Sequence, residues 1–260
     1  MSKATMTHGD FTGLASGYSK FRPGYSESIL MSLLALVGKP IGEIDAVDVG
    51  AGTGIWTRML AGRGLRSVVA IEPNDDMRTH GMADCAGLAI QWCRGSGEET
   101  GRPTASADLL SMASSFHWVD FDRGTREFHR VLRPGGRFVA LWNPRYLDDS
   151  PDLLAIEAHL KSIRPDIVRV SSGRSGIADK MTGLLNACPL FDDVVYLEGR
   201  QTRILSIEQY LGVWRSVNDL QVQLGPERFG QFLDYVGERL KGRETIETTN
   251  LTRAWAARRR

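Results

Sequence analysis

The residues with the plainest chemical content are Asp48-Val49-Gly50-Ala51-Gly52-Thr53-Gly54, followed 18 positions after Gly54 by Glu72. Three glycines in five positions permit a tight backbone turn and leave no side chain to hold a ligand away. The loop follows an apolar run, Ile44 to Val49, and precedes a helix-like segment carrying Ile55, Met59 and Leu60. Strand, glycine turn and helix in that order set a ligand at the carboxyl end of a parallel sheet. Glu72, at the end of the next candidate strand, is a carboxylate suited to both hydroxyls of a ribose. Together these features mark an adenosine-type site, in which Asp48 is either a ligand contact or a hydrogen-bonding residue of the turn.

Spacing narrows the ligand. A dinucleotide fingerprint has its third glycine three positions after the second, and counted from Gly50 and Gly52 that position is Ile55. A pyrophosphate needs open amides at a helix start, which a bulky β-branched residue disfavours. Gly50, Gly52 and Gly54, at the first, third and fifth positions, suit a ligand with no phosphate, and the pattern is that of S-adenosylmethionine.

The elements that must position these residues follow from alternation. Short apolar runs at Ile44 to Val49, Ser67 to Ile71, Ala89 to Cys93, Asp108 to Met112 and Arg137 to Trp142 alternate with helix-like segments, the pattern of βαβ units. Asn74 before Asp75-Asp76 reads as a helix cap with acids at the positive end of the dipole. Phe121, Phe128, Val131 and Leu132 recur at helical spacing until Pro134-Gly135-Gly136 stops them. Upstream, Ile29, Leu30, Leu33, Leu34 and Val37 form one apolar helix face. Downstream, Asp148 to Leu185 and Ser206 to Leu240 read as helical, and Val194 to Leu197 and Thr245 to Thr252 as strands that finish the sheet.

Composition bounds the class. The chain has 260 residues, 42% apolar and 24% charged, with a net charge of +1. That balance leaves no basic excess for a nucleic acid, and the arginine triplet Arg258-Arg259-Arg260 reads as a solvated end. The longest apolar stretch, Ile29 to Val37, is too short to span a membrane, and the polar start lacks the apolar core of a secretory signal. Cys85, Cys93 and Cys188 are unclustered, which excludes a disulfide framework or thiolate zinc site. The expected location is the cytoplasm, the expected partner a small molecule and no nucleic acid or membrane, and the expected assembly a monomer or homodimer.

The motifs together resemble the class I S-adenosylmethionine-dependent methyltransferases, in particular the small-molecule (methyltransferase type 11, trans-aconitate methyltransferase-like) subgroup. The likeness rests on Val47 to Gly54, Glu72-Pro73-Asn74 with Met77, Gly95-Ser96-Gly97-Glu98, Phe116-His117-Trp118, Arg130 to Gly136, and Tyr18 with Arg22-Pro23-Gly24-Tyr25. It covers residues 11 to about 146 well; beyond that it continues more loosely in Trp214-Arg215-Ser216 and Thr252-Arg253-Ala254-Trp255. The fold it implies is α/β: a Rossmann-like, doubly wound, seven-stranded, mostly parallel sheet in a single domain over residues 1–260. Residues 11–146 would form the cofactor-binding core with an N-terminal lid, and residues 147–260 the helical cap and last two strands.

The resemblance also implies site roles. Gly50, Ala51, Gly52 and Gly54 would contact the methionine part and ribose of S-adenosylmethionine, with Asp48 beside them, Glu72 on the ribose hydroxyls, and Pro73 and Met77 following. Ser96, Gly97 and Glu98 match the segment passing the adenine, where the family often has Asp and Ala in place of Ser96 and Gly97. Ser114 matches the end of the fourth strand, under the sulfonium, and Tyr18 and Arg22 match the lid, with Arg22 suited to the methionine carboxylate. His117 or Tyr18 would be the base for a hydroxyl acceptor, unless His117 merely fills a pocket wall. Tyr25, His117, Trp142, Asn143, Arg145 and Trp214 are the candidate acceptor contacts, and no metal is expected. The residues themselves leave open a nicotinamide-dependent oxidoreductase and a non-catalytic module that binds the same ligand.

Overall fold

A computed structural model describes residues 21–147, 150–168 and 176–260. Each strand of the expected βαβ series forms: β1 (Asp45–Val49), β2 (Ser67–Ile71), β3 (Ile90–Cys93), β4 (Ala107–Ala113) and β5 (Leu132–Trp142). They pair in parallel, with β1 between β2 and β4, β3 outside β2 and β5 outside β4. β8 (Thr245–Arg259) then runs antiparallel to β5, the two-residue β6 (Arg145–Tyr146) extends β5's edge along β8, and β7 (Phe191–Ser206) pairs the other side of β8. Seven principal strands with the short β6 therefore make one sheet in the order β3-β2-β1-β4-β5-β8-β7.

The central strands are buried on both faces, and their side chains divide with period two. Phe138, Ala140 and Trp142 of β5, with Trp255 and Ala257 of β8, point into one layer. There they meet Phe128 and Val131 of α4 (Phe121–Val131) and Met181 and Leu185 of α6 (Ile177–Ala187). Val139, Leu141, Ala254 and Ala256 point into the opposite layer, against Ile29, Leu30, Leu33 and Leu34 of α1 (Glu27–Leu36) and Trp56 and Leu60 of α2 (Ile55–Ala61). A third apolar cluster lies outside the sheet. It joins Leu153, Ile156 and Leu160 of α5 (Pro151–Ile163), Tyr210 and Trp214 of α7 (Ile207–Arg215), and Leu220, Phe232 and Val236 of α8 (Asn218–Arg239). This is the cap.

Helix starts follow local chemistry. The Asn74 side chain accepts from the Met77 amide at 3.0 Å and opens α3 (Asp75–Asp84); Asp120 accepts from the Arg123 amide at 2.8 Å and opens α4. Ser206 and Gln209 form a reciprocal capping box at α7. The helical run expected over Asp148 to Leu185 is two helices, α5 and α6, with residues 169–175 outside the described set. The run expected over Ser206 to Leu240 divides at Ser216 and is kinked again at Gly225, where φ is 70° before Pro226.

The C-terminal third departs most from expectation. β7 and β8 are long partners paired from Phe191–Arg259 to Ser206–Thr245, far beyond the short strands at Val194 to Leu197 and Thr245 to Thr252. The arginine triplet is exposed at Arg258 and Arg260, as expected, but it is also paired: Arg258 donates to Asp192 at 2.9 Å, Arg259 donates to the Leu132 carbonyl and Arg260 pairs with Asp192 at 3.7 Å. Among the described residues, no helix is long and apolar enough to cross a membrane.

Phe138 is fully buried, and its ring centroid is 4.9 to 5.8 Å from those of Phe116, Phe128 and Phe191, so it ties the turn after β4 (Phe116–Trp118) and α4 to the sheet beside β7. Phe138→Ala should destabilise the chain by about 3–5 kcal/mol, measured as a lowered midpoint of urea unfolding.

Candidate functional site

The glycine loop is built by the backbone. Gly50, Gly52 and Gly54 have φ of 67°, 57° and 78°, a region that side chains rarely adopt. A Cβ on Gly50 would lie 2.6 Å from that of Ser115, and one on Gly54 would lie 2.8 Å from Cys85 Sγ and 3.1 Å from Trp92. The glycines are thus demanded first by the fold itself, and the loop is left bare toward the cavity beside it.

The loop amides are already engaged. Gly50 N and Ala51 N both donate to the Ile71 carbonyl, at 2.8 and 3.0 Å, and Gly54 N donates to Ala51 O at 2.9 Å. Gly52 N donates to Glu72 Oε2 at 2.7 Å, while Glu72 Oε1 accepts from Asn74 N at 2.9 Å. Burial raises the Glu72 pKa, and the two backbone amides oppose that rise. A carboxylate has about four acceptor positions, so two remain for a ligand.

These groups line a cavity of about 370 Å³ at the carboxyl ends of the strands. Of the expected donor-ligand residues, Arg22, Gly50, Ala51, Gly52, Glu72, Pro73, Met77, Ser96, Gly97, Glu98 and Ser114 line it. Asp48 and Gly54 do not. Asp48 is wholly buried beneath the loop, where its oxygens accept from Thr57 at 2.6 Å and Ser111 at 3.1 Å, and burial pushes its pKa up to about 7. It props the loop from below. Tyr18 lies outside the described residues.

Sequence reasoning missed Trp118. In Phe116-His117-Trp118 the histidine drew attention, yet it is Trp118 that lines the cavity with Val119, near Gly97 and Glu98, and it is 44% exposed. A large aromatic left that open on a cavity wall is a platform for a flat ligand. The glycine at position 97 has a local cause as well, since a Cβ there would come within 2.4 Å of Val119. Ile55, Trp56, Asn74, Met112, Ala113 and Ser115 complete the wall, all of them neighbours of motif residues.

The expected acceptor contacts scatter. Tyr25 lies in the 370 Å³ cavity, its hydroxyl 2.9 Å from that of Ser114, which is held at a φ of 55°. Arg145 lines a second cavity of about 490 Å³ under the cap, and Asn143 borders both. Trp142 and Trp214 are core residues at 1% and 0% exposure and line neither cavity; the Arg145 guanidinium lies 3.7 Å over the Trp214 ring.

His117 lines neither cavity. Its Nδ1 accepts from the Trp142 indole at 3.3 Å, which leaves the proton on a buried Nε2 that has no partner. Burial depresses its pKa to about 4. The ring is neutral at pH 7, its one lone pair is committed and it borders neither cavity, so the geometry runs against the expected general base and equally against a pocket-wall role.

Residues 47–140 match the family described as the methyltransferase domain. An uncharacterized methyltransferase of Mycobacterium bovis is 35% identical over 138 residues, 52% of this chain and 52% of that protein. A ubiquinone/menaquinone biosynthesis C-methyltransferase of Rubrivivax gelatinosus is 36% identical over 97 residues, 36% of this chain and 38% of its own. The chain thus spans about half or less of the curated relatives it matches. A protein from Anaeromyxobacter dehalogenans, provisionally assigned as a type II methyltransferase, superimposes with a TM-score of 0.68 at 22% identity, covering 92% of this chain and 98% of that one. The phosphoethanolamine N-methyltransferase 2 of Haemonchus contortus, solved with S-adenosyl-L-methionine, gives 0.56 at 12% identity over 97% of this chain and 58% of that one. At such identities the likeness is one of fold.

Asp48 carries the prediction from this geometry. With its pKa raised from 3.8 to about 7 on folding, its contribution is full below about pH 4 and is lost as pH climbs to 7. Asp48→Asn keeps the uncharged shape at every pH. Its stability relative to the unmodified chain should therefore improve by about 2–3 kcal/mol between pH 5 and pH 8 in urea unfolding, and a flat difference would refute the raised pKa.

Proposed function

We propose that the chain, whose residues 47–140 match the methyltransferase domain, is a class I enzyme that transfers a methyl group from S-adenosylmethionine to a small-molecule acceptor. The observation that carries this reading is the engaged loop. Gly50, Ala51, Gly52 and Gly54 have no amide left for a pyrophosphate, and a buried carboxylate stands against Gly52 where a phosphate would be repelled. A donor with a sulfonium, an ammonium and a carboxylate but no phosphate fits that wall, and a nicotinamide dinucleotide does not.

The donor supplies a methyl bound to a positively charged sulfur; as the methyl bonds to the acceptor, the carbon–sulfur bond breaks and its electron pair stays on sulfur. The chain's residues have the task of alignment. In this reading Glu72 holds the ribose hydroxyls with its two spare acceptor positions, while Trp118 and Val119 flank the adenine with Ser96, Gly97 and Glu98 at its edge. Gly50 to Gly52 and Ser114 border the methionine part. Arg22, on the cavity wall and tied to Ser216 Oγ at 3.1 Å, faces its carboxylate. Among the described residues no side chain is assigned as base.

Two measurements test this. Glu72→Ala should raise the dissociation constant of S-adenosylhomocysteine by about ten- to a hundredfold in isothermal titration, through the loss of charge-assisted hydrogen bonds. NAD should not bind the unmodified chain; NAD binding without S-adenosylhomocysteine binding would overturn the proposal. His117→Asn should leave turnover within about threefold once an acceptor is found, whereas a loss of a hundredfold or more would restore the histidine as a base.

A further inference from the structure

The second cavity is not part of the donor site, yet it opens beside it. Its volume of about 490 Å³ is in the range of small-molecule sites. Arg22, Pro23 and Asn143 line both cavities, so the two are adjacent. The cap supplies its other walls, from α5, α7 and the ends of β7 and β8.

The lining is charged in one sense. Arg22, Arg145, Lys161 and Arg203 face a single carboxylate, Glu157. That carboxylate is already matched by Arg145 at 3.2 Å, and Arg145 is fixed in turn over the Trp214 ring. Lys161 and Arg203 have no acidic partner among the described residues, and neither borders the donor cavity. In a chain whose net charge is only +1, this is a local surplus. The remaining lining is mostly apolar, with Leu147, Ile167, Leu205, Val213 and Val217. A cationic acceptor would meet repulsion and no unpaired carboxylate, whereas an anionic one would meet Lys161, which is exposed, and Arg203, which is half-buried.

We propose that the cavity between Asn143 and the cap binds the methyl acceptor, and that Lys161 and Arg203 select an acceptor with an anionic head and an apolar body. The inference rests on the methyl-transfer reading for the word acceptor, but not for the binding itself. The head lies against Lys161 and Arg203, away from the shared wall, and the reacting atom lies toward Arg22 and Asn143. Charge attraction to a carboxylate or phosphate is the shared chemistry.

The test uses the full chain saturated with S-adenosylhomocysteine and four probes of equal chain length: octanoate, octyl phosphate, octylamine and octanol. Titration should show octanoate or octyl phosphate binding at least tenfold more tightly than octylamine and octanol, the better of the two identifying the head group. The double variant Lys161→Gln/Arg203→Gln should weaken the favoured anion tenfold or more and leave S-adenosylhomocysteine affinity unchanged, which also shows that it is folded. Arg203→Lys should retain most of the anion affinity. Equal binding of all four probes, absence of anion binding, or an unchanged affinity in the double variant would overturn the proposal. Failure of S-adenosylhomocysteine to bind the unmodified chain would instead strike the methyl-transfer reading, and anion binding measured without it would still stand or fall alone.

Discussion

The site depends on one buried carboxylate. Glu72 ends β2 and reaches across to the loop after β1, where it accepts from Gly52, and back to its own turn, where it accepts from Asn74. Those two bonds fix the distance between adjacent strand ends and orient the start of α3. Burial alone would favour the protonated acid; the amides supply the compensation that keeps an acceptor group in place. Asp48, one layer lower, meets the same desolvation with only hydroxyl partners, and the charge of Glu72 adds to its rise. Two acids at neighbouring strand ends thus separate in role: one presents oxygens to the cavity, the other is a prop beneath it that is protonated below about pH 7.

How much of this the sequence discloses depends on the range of the interaction. Glycines with positive φ, caps such as Asn74, and strands buried on both faces act over a few residues, and their traces at Gly50 to Gly54, Asn74 and Val47 are direct. The edge strand β7 is different. Only one face is covered, so from Val195 to Arg203 half-buried and exposed residues alternate without an apolar run, and their pairing with β8 is set by long-range register. Arg258 and Arg259 look like a charged tail until Asp192 and the Leu132 carbonyl arrive from elsewhere in the chain. His117 and Trp118 show the same limit at one-residue scale. The sequence marks only His117 as a candidate site residue, but the orientation of a short helical turn leaves Trp118 as the one that faces the cavity.

The comparisons and the geometry divide the molecule at the same place. The family match ends at residue 140, within β5, and the donor cavity draws most of its wall from that stretch. The second cavity begins at Asn143 and is walled almost wholly by later residues. A fold that holds one ligand by strand ends and loops can therefore vary its second ligand by changing the cap, without disturbing the sheet.

What couples the halves is a short strap, Phe21 to Ser26, which belongs to neither. Gly24 accepts from Asn143 Nδ2 at 2.7 Å, Ser26 N donates to Thr252 at 2.9 Å, and Arg22 donates to Ser216. The Phe21 ring lies so close to Gly212 that a Cβ there would meet it at 2.6 Å. Through these contacts the strap is pinned to β5, β8 and α7 at once, and its Arg22 and Pro23 form wall for both cavities. A group used twice cannot be optimised for one ligand alone. Lys161 and Arg203, by contrast, line only the second cavity, so a change there leaves the wall of the first untouched.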